Sequence, residues 1–179
     1  MENSEIKLTE FTLGGGCGCK IPPQELKELL KDLSASNSEK LLVGNSTSDD
    51  AAIYSLTEDL CLISSTDFFT PIVDSPYDFG RVAAANAISD IYAMGGKPIL
   101  ALSILAWPTS KLPISIASEV LKGATEICQG AGIPLAGGHS IENKEPIFGL
   151  AVNGIVSKKN IKKNNTAQEG DLIFITKAI

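Results

Sequence analysis

The chain has 179 residues, 44% of them hydrophobic and few of them aromatic, and carries a net charge of −6. That is enough for one domain with a proper core, and the acidic balance argues against nucleic acid as a main partner, because phosphate binding depends on clustered Lys and Arg. Met1 to Glu10 is polar and acidic, no apolar run is long enough to cross a bilayer, and the four cysteines come without a secretory leader. The expectation is therefore a cytoplasmic protein with free thiols and no membrane partner.

In chain order, Ile6 to Leu13 predicts a short strand, followed by Gly14-Gly15-Gly16-Cys17-Gly18-Cys19-Lys20. Glycines let a backbone approach a ligand closely, and a lysine beside cysteines favours the nucleophilic thiolate, so the stretch reads as a reactive loop or as a flexible linker. It is not a Walker A loop, since Cys19 precedes Lys20 and Ile21 follows, and Pro22-Pro23 separates the glycines from the next helix, which excludes a dinucleotide fingerprint. Zinc would need two more ligands, and Cys61, Cys128 and His139 lack the paired spacing. Leu26, Leu29, Leu30 and Leu33 then fall at the spacing of an amphipathic helix with a packing role.

Ala52 to Leu56 and Leu60 to Ser65 predict a hairpin, with Asp50 just before its first strand and Asp67 just after its second. An antiparallel pair brings both carboxylates to one edge, where a divalent cation would explain them. Residues 76 to 94 predict a helix whose small apolar side chains lie against a core on most sides. Asn86 and Asp90 share one face of it, and a carboxylate and an amide there either bind something or cap a neighbouring loop. Pro98 to Ala106 reads as a buried strand and Pro113 to Ala131 as a helix with Cys128 in the core. A short strand from Ile133 to Ala136 leads into a turn, Gly137-Gly138-His139-Ser140, and strands follow at Ile147 to Val156 and Asp171 to Thr176.

These elements alternate without a strict βαβ rhythm, so the expected class is α+β, a mixed sheet with helices on one face. Its strands are too apolar to leave the other face in water, which predicts a homodimer with the two sheets facing each other.

Several separated motifs, GGGCGCKIPP at 14–23, STSDDAAIY at 46–54, the stretch from Ser64 to Pro98, GGHSI at 137–141 and EGDLIFITKAI at 169–179, resemble the selenophosphate synthetases (selenide, water dikinases). GCGCK is the most specific of them. The middle motifs are shared with other ATP-binding members of the superfamily, such as aminoimidazole ribonucleotide synthetase and thiamine monophosphate kinase. The resemblance implies the amino-terminal domain of that superfamily at residues 46–179, preceded over residues 1–45 by the Gly/Cys-rich catalytic loop and the amphipathic helix. It implies a sheet that pairs across a homodimer into a β-barrel, and the transfer of the γ-phosphoryl group of ATP to selenide, with AMP and phosphate released.

Position by position, Asp50, Asp67 and Asp90 match the family's carboxylates for ATP and Mg2+, while Thr47, Ser48 and Asp49 match its nucleotide-contacting loop. Lys20 matches a lysine that contacts ATP, Cys17 a catalytic Cys or selenocysteine, and Gly138, His139 and Ser140 a segment that reaches ATP from the partner subunit. Family members continue into a second domain with a further metal-binding aspartate, so the expectation is a fragment with little activity alone. The competing readings are another ATP-using member of the superfamily, which has no evident use for Cys17-Gly18-Cys19-Lys20, and a thiol carrier or redox module, which leaves the three aspartates unexplained.

Overall fold

The structure, a computed structural model, describes residues 6–32, 38–45 and 48–175. Its centre is a six-stranded mixed sheet built from β1 (Leu41–Val43), β2 (Ala52–Ser55), β3 (Leu60–Phe69), β4 (Lys97–Trp107), β5 (Leu135–Glu142) and β6 (Ile147–Ser157). Two long helices, α2 (Pro76–Ala93) and α3 (Ile114–Gly130), follow a short α1 (Pro23–Leu30). The strand order is β1-β2-β3-β6-β4-β5, and only the β4–β5 pair is parallel. Helix α2 lies against β3, β6 and β4, with α3 packed beside it, so the expected α+β class with helices over one sheet face is what forms.

Strand β3 states the logic of the sheet. Its residues alternate, with Cys61, Ile63, Ser65, Asp67 and Phe69 buried on the helix side and Leu60, Ser64, Thr66 and Phe68 exposed on the other. Period-two alternation over ten residues fixes which face meets the helices, since a one-residue slip would reverse every side chain. The buried face holds Phe79 of α2 edge-on between Phe69 and Phe148, at centroid distances of 6.0 and 6.2 Å.

Helix α2 begins where Ser75 caps it by accepting a hydrogen bond from the Asp78 backbone N–H at 3.2 Å, with Pro76 in the first turn. Its buried residues, Phe79, Gly80, Ala83, Ala84, Ala87, Ile88 and Ile91, form a broad stripe because the helix serves two partners, the sheet and α3. Small residues let α3 come close. A Cβ on Gly80 would lie 1.9 Å from the Val120 carbonyl oxygen, and one on Gly123 would lie 2.0 Å from that of Tyr77. Cys61 and Cys128 are free and buried, as expected, and burial pushes the Cys128 thiol up from its ordinary pKa.

Four sequence expectations are corrected. Residues 8–11 form a 3-10 turn instead of a strand, because Leu8 sinks completely into the core while its N–H donates to the Asp74 carbonyl. The α1 helix forms, but none of its residues is buried and Leu29 is 66% exposed, so its apolar stripe stays largely open to solvent; Leu33 lies outside the described residues. The glycine-histidine segment 137–140 is not a turn but the middle of β5, hydrogen-bonded in parallel to β4. Gly138 permits this, since a Cβ there would lie 2.0 Å from the Ser103 carbonyl oxygen. Residues 171–175 form no strand, and Leu172 to Ile175 are well exposed, while Thr176 lies outside the described residues. No helix among the described residues is long and apolar enough to cross a membrane.

Candidate active site

The hairpin and α2 bring four polar side chains together at one end of the sheet. Strand β3 runs four residues further than the expected end at Ser65, so Asp67 is part of the strand, on the same face as Ser65 by the two-residue period. Asp67 is only 8% exposed. A carboxylate that far from water needs partners, and it has two: the Asn86 amide of α2 donates to its Oδ2, and the Lys20 ammonium lies 3.2 Å from its Oδ1. One turn further along α2, Asp90 accepts a hydrogen bond from the Ser65 hydroxyl at 2.5 Å. The same hydroxyl stands 3.4 Å from the Asp50 carbonyl oxygen, which ties the entry of β2 to the cluster. Asn86 and Asp90 thus meet the side chains of β3 and cap no loop.

The electrostatics of the cluster are unbalanced. Burial raises the Asp90 carboxyl above the ordinary carboxylate range, the Ser65 hydrogen bond opposes this, Asp67 and Asp50 add to it, and Lys20 offsets part of it. Asp90 therefore senses two other acids and one lysine. Among the described residues, no three Asp, Glu, His or Cys side chains are gathered tightly enough to hold a metal ion by themselves. The donor set fits a hard cation that takes part of its shell from a phosphate-bearing ligand, as magnesium does, better than an ion in an all-protein cage.

Lys20 arrives on the glycine loop. Residues 16–19 form a 3-10 turn that carries Cys17, and the loop is laid across the end of β3, where the Gly16 N–H donates to the Thr70 carbonyl at 3.2 Å. On the other flank, Ser48 has a positive φ of 52° and Asp49 accepts a hydrogen bond from the Asn164 N–H at 2.6 Å. The Asn164 amide also donates to the Ser48 carbonyl at 2.7 Å. Thr47 and the Cys17 side chain lie outside the described residues.

Gly138, His139 and Ser140 stand apart from this group. The register runs Asp67, Leu150, Ser103, Gly138 across β3, β6, β4 and β5, three strand spacings, or roughly 14 Å at about 4.8 Å each. His139 pairs with Ile104 on the open face of the sheet, whereas Asp67 faces the helices.

Sequence reasoning overlooked Ser65, Thr70 and Asn164. Ser65 was detectable, being two residues before Asp67 on a strand. Asn164 was not, because it lies 115 residues from the aspartate it meets.

Residues 48–156 match the family model described as AIR synthase related protein, N-terminal domain, and the chain belongs to that family. Solved structures share the fold: AaThiL complexed with AMPPCP and TMP superposes with a TM-score of 0.63 at 21% identity, over 81% of this chain and 43% of that one. PurLQS from Thermotoga maritima gives 0.62 at 13% identity, over 76% of this chain and 24% of that one.

Within the family, the chain is similar to selenide, water dikinases. It is 58% identical to that of Colwellia psychrerythraea over 98% of this chain and 52% of the relative. The corresponding figures are 57%, 98% and 51% for Sulfurimonas denitrificans, and 54%, 97% and 51% for Pseudomonas aeruginosa. The chain spans about half the length of the curated relatives it matches.

Proposed function

We propose that this chain is the ATP-binding part of a selenide, water dikinase, which makes selenophosphate, AMP and phosphate from ATP, selenide and water in the reducing cytoplasm. The observation that carries the reading is the cluster of Lys20, Ser65, Asp67, Asn86 and Asp90 under the Cys17-bearing glycine loop, in a chain 54–58% identical to selenide, water dikinases. The complete activity is proposed for a full-length gene product, with residues 1–45 supplying the loop and helix and 46–179 the nucleotide-binding domain.

Phosphoryl transfer asks little covalent help of a protein and depends on neutralising charge and holding atoms in line. Asp50, Asp67 and Asp90 would hold Mg2+, which supplies positive charge to the phosphate oxygens when bound. Asn86 and Ser65 hold two of those carboxylates in place, and Lys20 adds a cation on the loop side. Ser48 and Asp49 would contact the nucleotide from the other flank, and Thr47 is assigned to the same contact by the resemblance alone. Cys17, carried over the site by the loop, handles selenium.

The same reading makes the chain a homodimer. Tyr54, Phe68 and Ile141 are 39, 49 and 56% exposed on the sheet face away from the helices, an apolar surface that a second sheet would cover. A partner chain would also bring its Gly138, His139 and Ser140 to the nucleotide, which they cannot reach within one chain. Light scattering is expected to give twice the monomer mass at micromolar concentration, and a stable monomer would sink the dimer.

The deciding experiment is phosphorus NMR on the anaerobic full-length gene product with ATP, magnesium and selenide, beside a Cys17→Ala control. A selenophosphate resonance with accumulating AMP is expected, and its loss in the control would place Cys17 in the reaction. Intact ATP, or ADP without a selenium product, would reduce the reading to the shared ATP-binding fold.

A further inference from the structure

We propose that Thr70 is a positioning residue, a latch that docks the Gly14–Lys20 loop onto the end of β3 and so sets Lys20 against Asp67. Thr70 follows Phe69, the last residue of β3, three positions after Asp67. It holds the loop by both its side chain and its main chain. Its hydroxyl donates to the Gly14 carbonyl at 2.6 Å, and its carbonyl accepts from the Gly16 N–H at 3.2 Å. The loop then returns, and the Lys20 ammonium reaches Asp67 at 3.2 Å. Strand segment 67–70, the two Thr70 hydrogen bonds, residues 14–20 and the ion pair therefore close a ring, in which Thr70 fixes one side and Lys20 the other.

The fit at the latch is close. A Cβ on Gly15 would lie 2.7 Å from the Pro71 carbonyl oxygen, and one on Gly16, where φ is +65°, would lie 2.7 Å from Ile72 Cγ2. The loop's glycines thus let backbone lie on backbone beside Thr70. The Thr12 hydroxyl also reaches the Gly14 carbonyl at 2.6 Å, but it lies two residues away on the same segment, so that contact does not tie the loop to β3. The Thr70 hydrogen bond is solvent-exposed, so its loss should free the loop without unfolding the sheet.

The consequence for Lys20 rests on the proposed nucleotide reading, whereas the latch itself does not. The test therefore has two arms, run on the full-length gene product with Thr70→Val, which replaces the hydroxyl by a methyl group, and Thr70→Ser, which keeps the hydroxyl. In millisecond hydrogen–deuterium exchange without ligand, Thr70→Val is expected to speed exchange across Gly14–Lys20 about five- to tenfold, with β3 unchanged and Thr70→Ser near wild type. Equal exchange in wild type and Thr70→Val overturns the latch, as does a serine variant that behaves like valine.

In the second arm, Thr70→Val is expected to weaken MgATP binding about fivefold in the Lys20 protein and to add nothing in a Lys20→Ala background. An undiminished penalty in that background, or unchanged affinity in Thr70→Val, overturns the positioning of Lys20. Faster exchange in Thr70→Val with no MgATP binding even by wild type would instead overturn the nucleotide reading and leave the latch standing.

Discussion

If the proposed function holds, an Asp67→Asn variant of the full-length gene product is expected to lose about a hundred- to a thousandfold in selenide-dependent turnover while melting within a few degrees of wild type. The two effects separate because Asp67 does opposite things in the free and the loaded site. In the free protein its charge adds to the burial that already raises Asp90, so neutralising it relieves a repulsion. The lost ion pair offsets little of that, since Lys20 is 58% exposed and such a pair contributes at most about 1 kcal/mol. An asparagine at 67 also keeps an oxygen for the Asn86 amide, so no buried donor is stranded.

On the proposed reading, the same charge would hold a cation against developing phosphate charge in the loaded site, and removing one such electrostatic contributor typically costs about 10²–10³ in rate. Thermal melting beside the phosphorus NMR assay checks both halves. Turnover near the wild-type rate would remove Asp67 from the site, and a fall in Tm above about 10 °C would mean that its charge is structural.

The second large effect is on stability. Gly80→Ala is expected to lower Tm by roughly 4–8 °C, because its Cβ would fall 1.9 Å from the Val120 carbonyl oxygen and 3.1 Å from the Ala124 nitrogen, both of them backbone atoms that cannot rotate away. Alanine favours the helix by about 1 kcal/mol over glycine, and overpacking costs about 1–3 kcal/mol or more, so the clash wins.

Gly123 sits at the reciprocal contact with Tyr77, and the two substitutions should be less than additive. Once the helices have moved apart for one methyl group, the second meets less resistance. A Tm equal to wild type in Gly80→Ala, or full additivity in the double variant, would show that α2 and α3 do not cross this closely. Because α2 also carries Asn86 and Asp90, displacement of the helix should weaken MgATP binding as well.

The sequence by itself determined the β2–β3 hairpin, α2, α3, β4 and β6, and the residue types of the candidate site. Two short apolar runs joined by Thr57-Glu58-Asp59 marked the hairpin as far as Ser65, the small apolar run marked α2, and Asn86 and Asp90 one turn apart on that run announced a polar feature inside a packed face, because these signals are local. Tertiary structure decided which of those groups meet. Asp67 finds Asn86 and Lys20, Ser65 finds Asp90, Thr70 holds Gly14, and Asn164 holds Ser48 and Asp49, through contacts that cross 19, 47, 25, 56 and up to 116 positions of chain. It also drew the glycine-histidine segment into β5, three strands from Asp67, since a parallel partner became available only after α3 had brought the chain back beside β4. Composition and spacing can specify a strand or a helix face, but side chains that far apart are matched only when the sheet order and the close approach of α2 are in place.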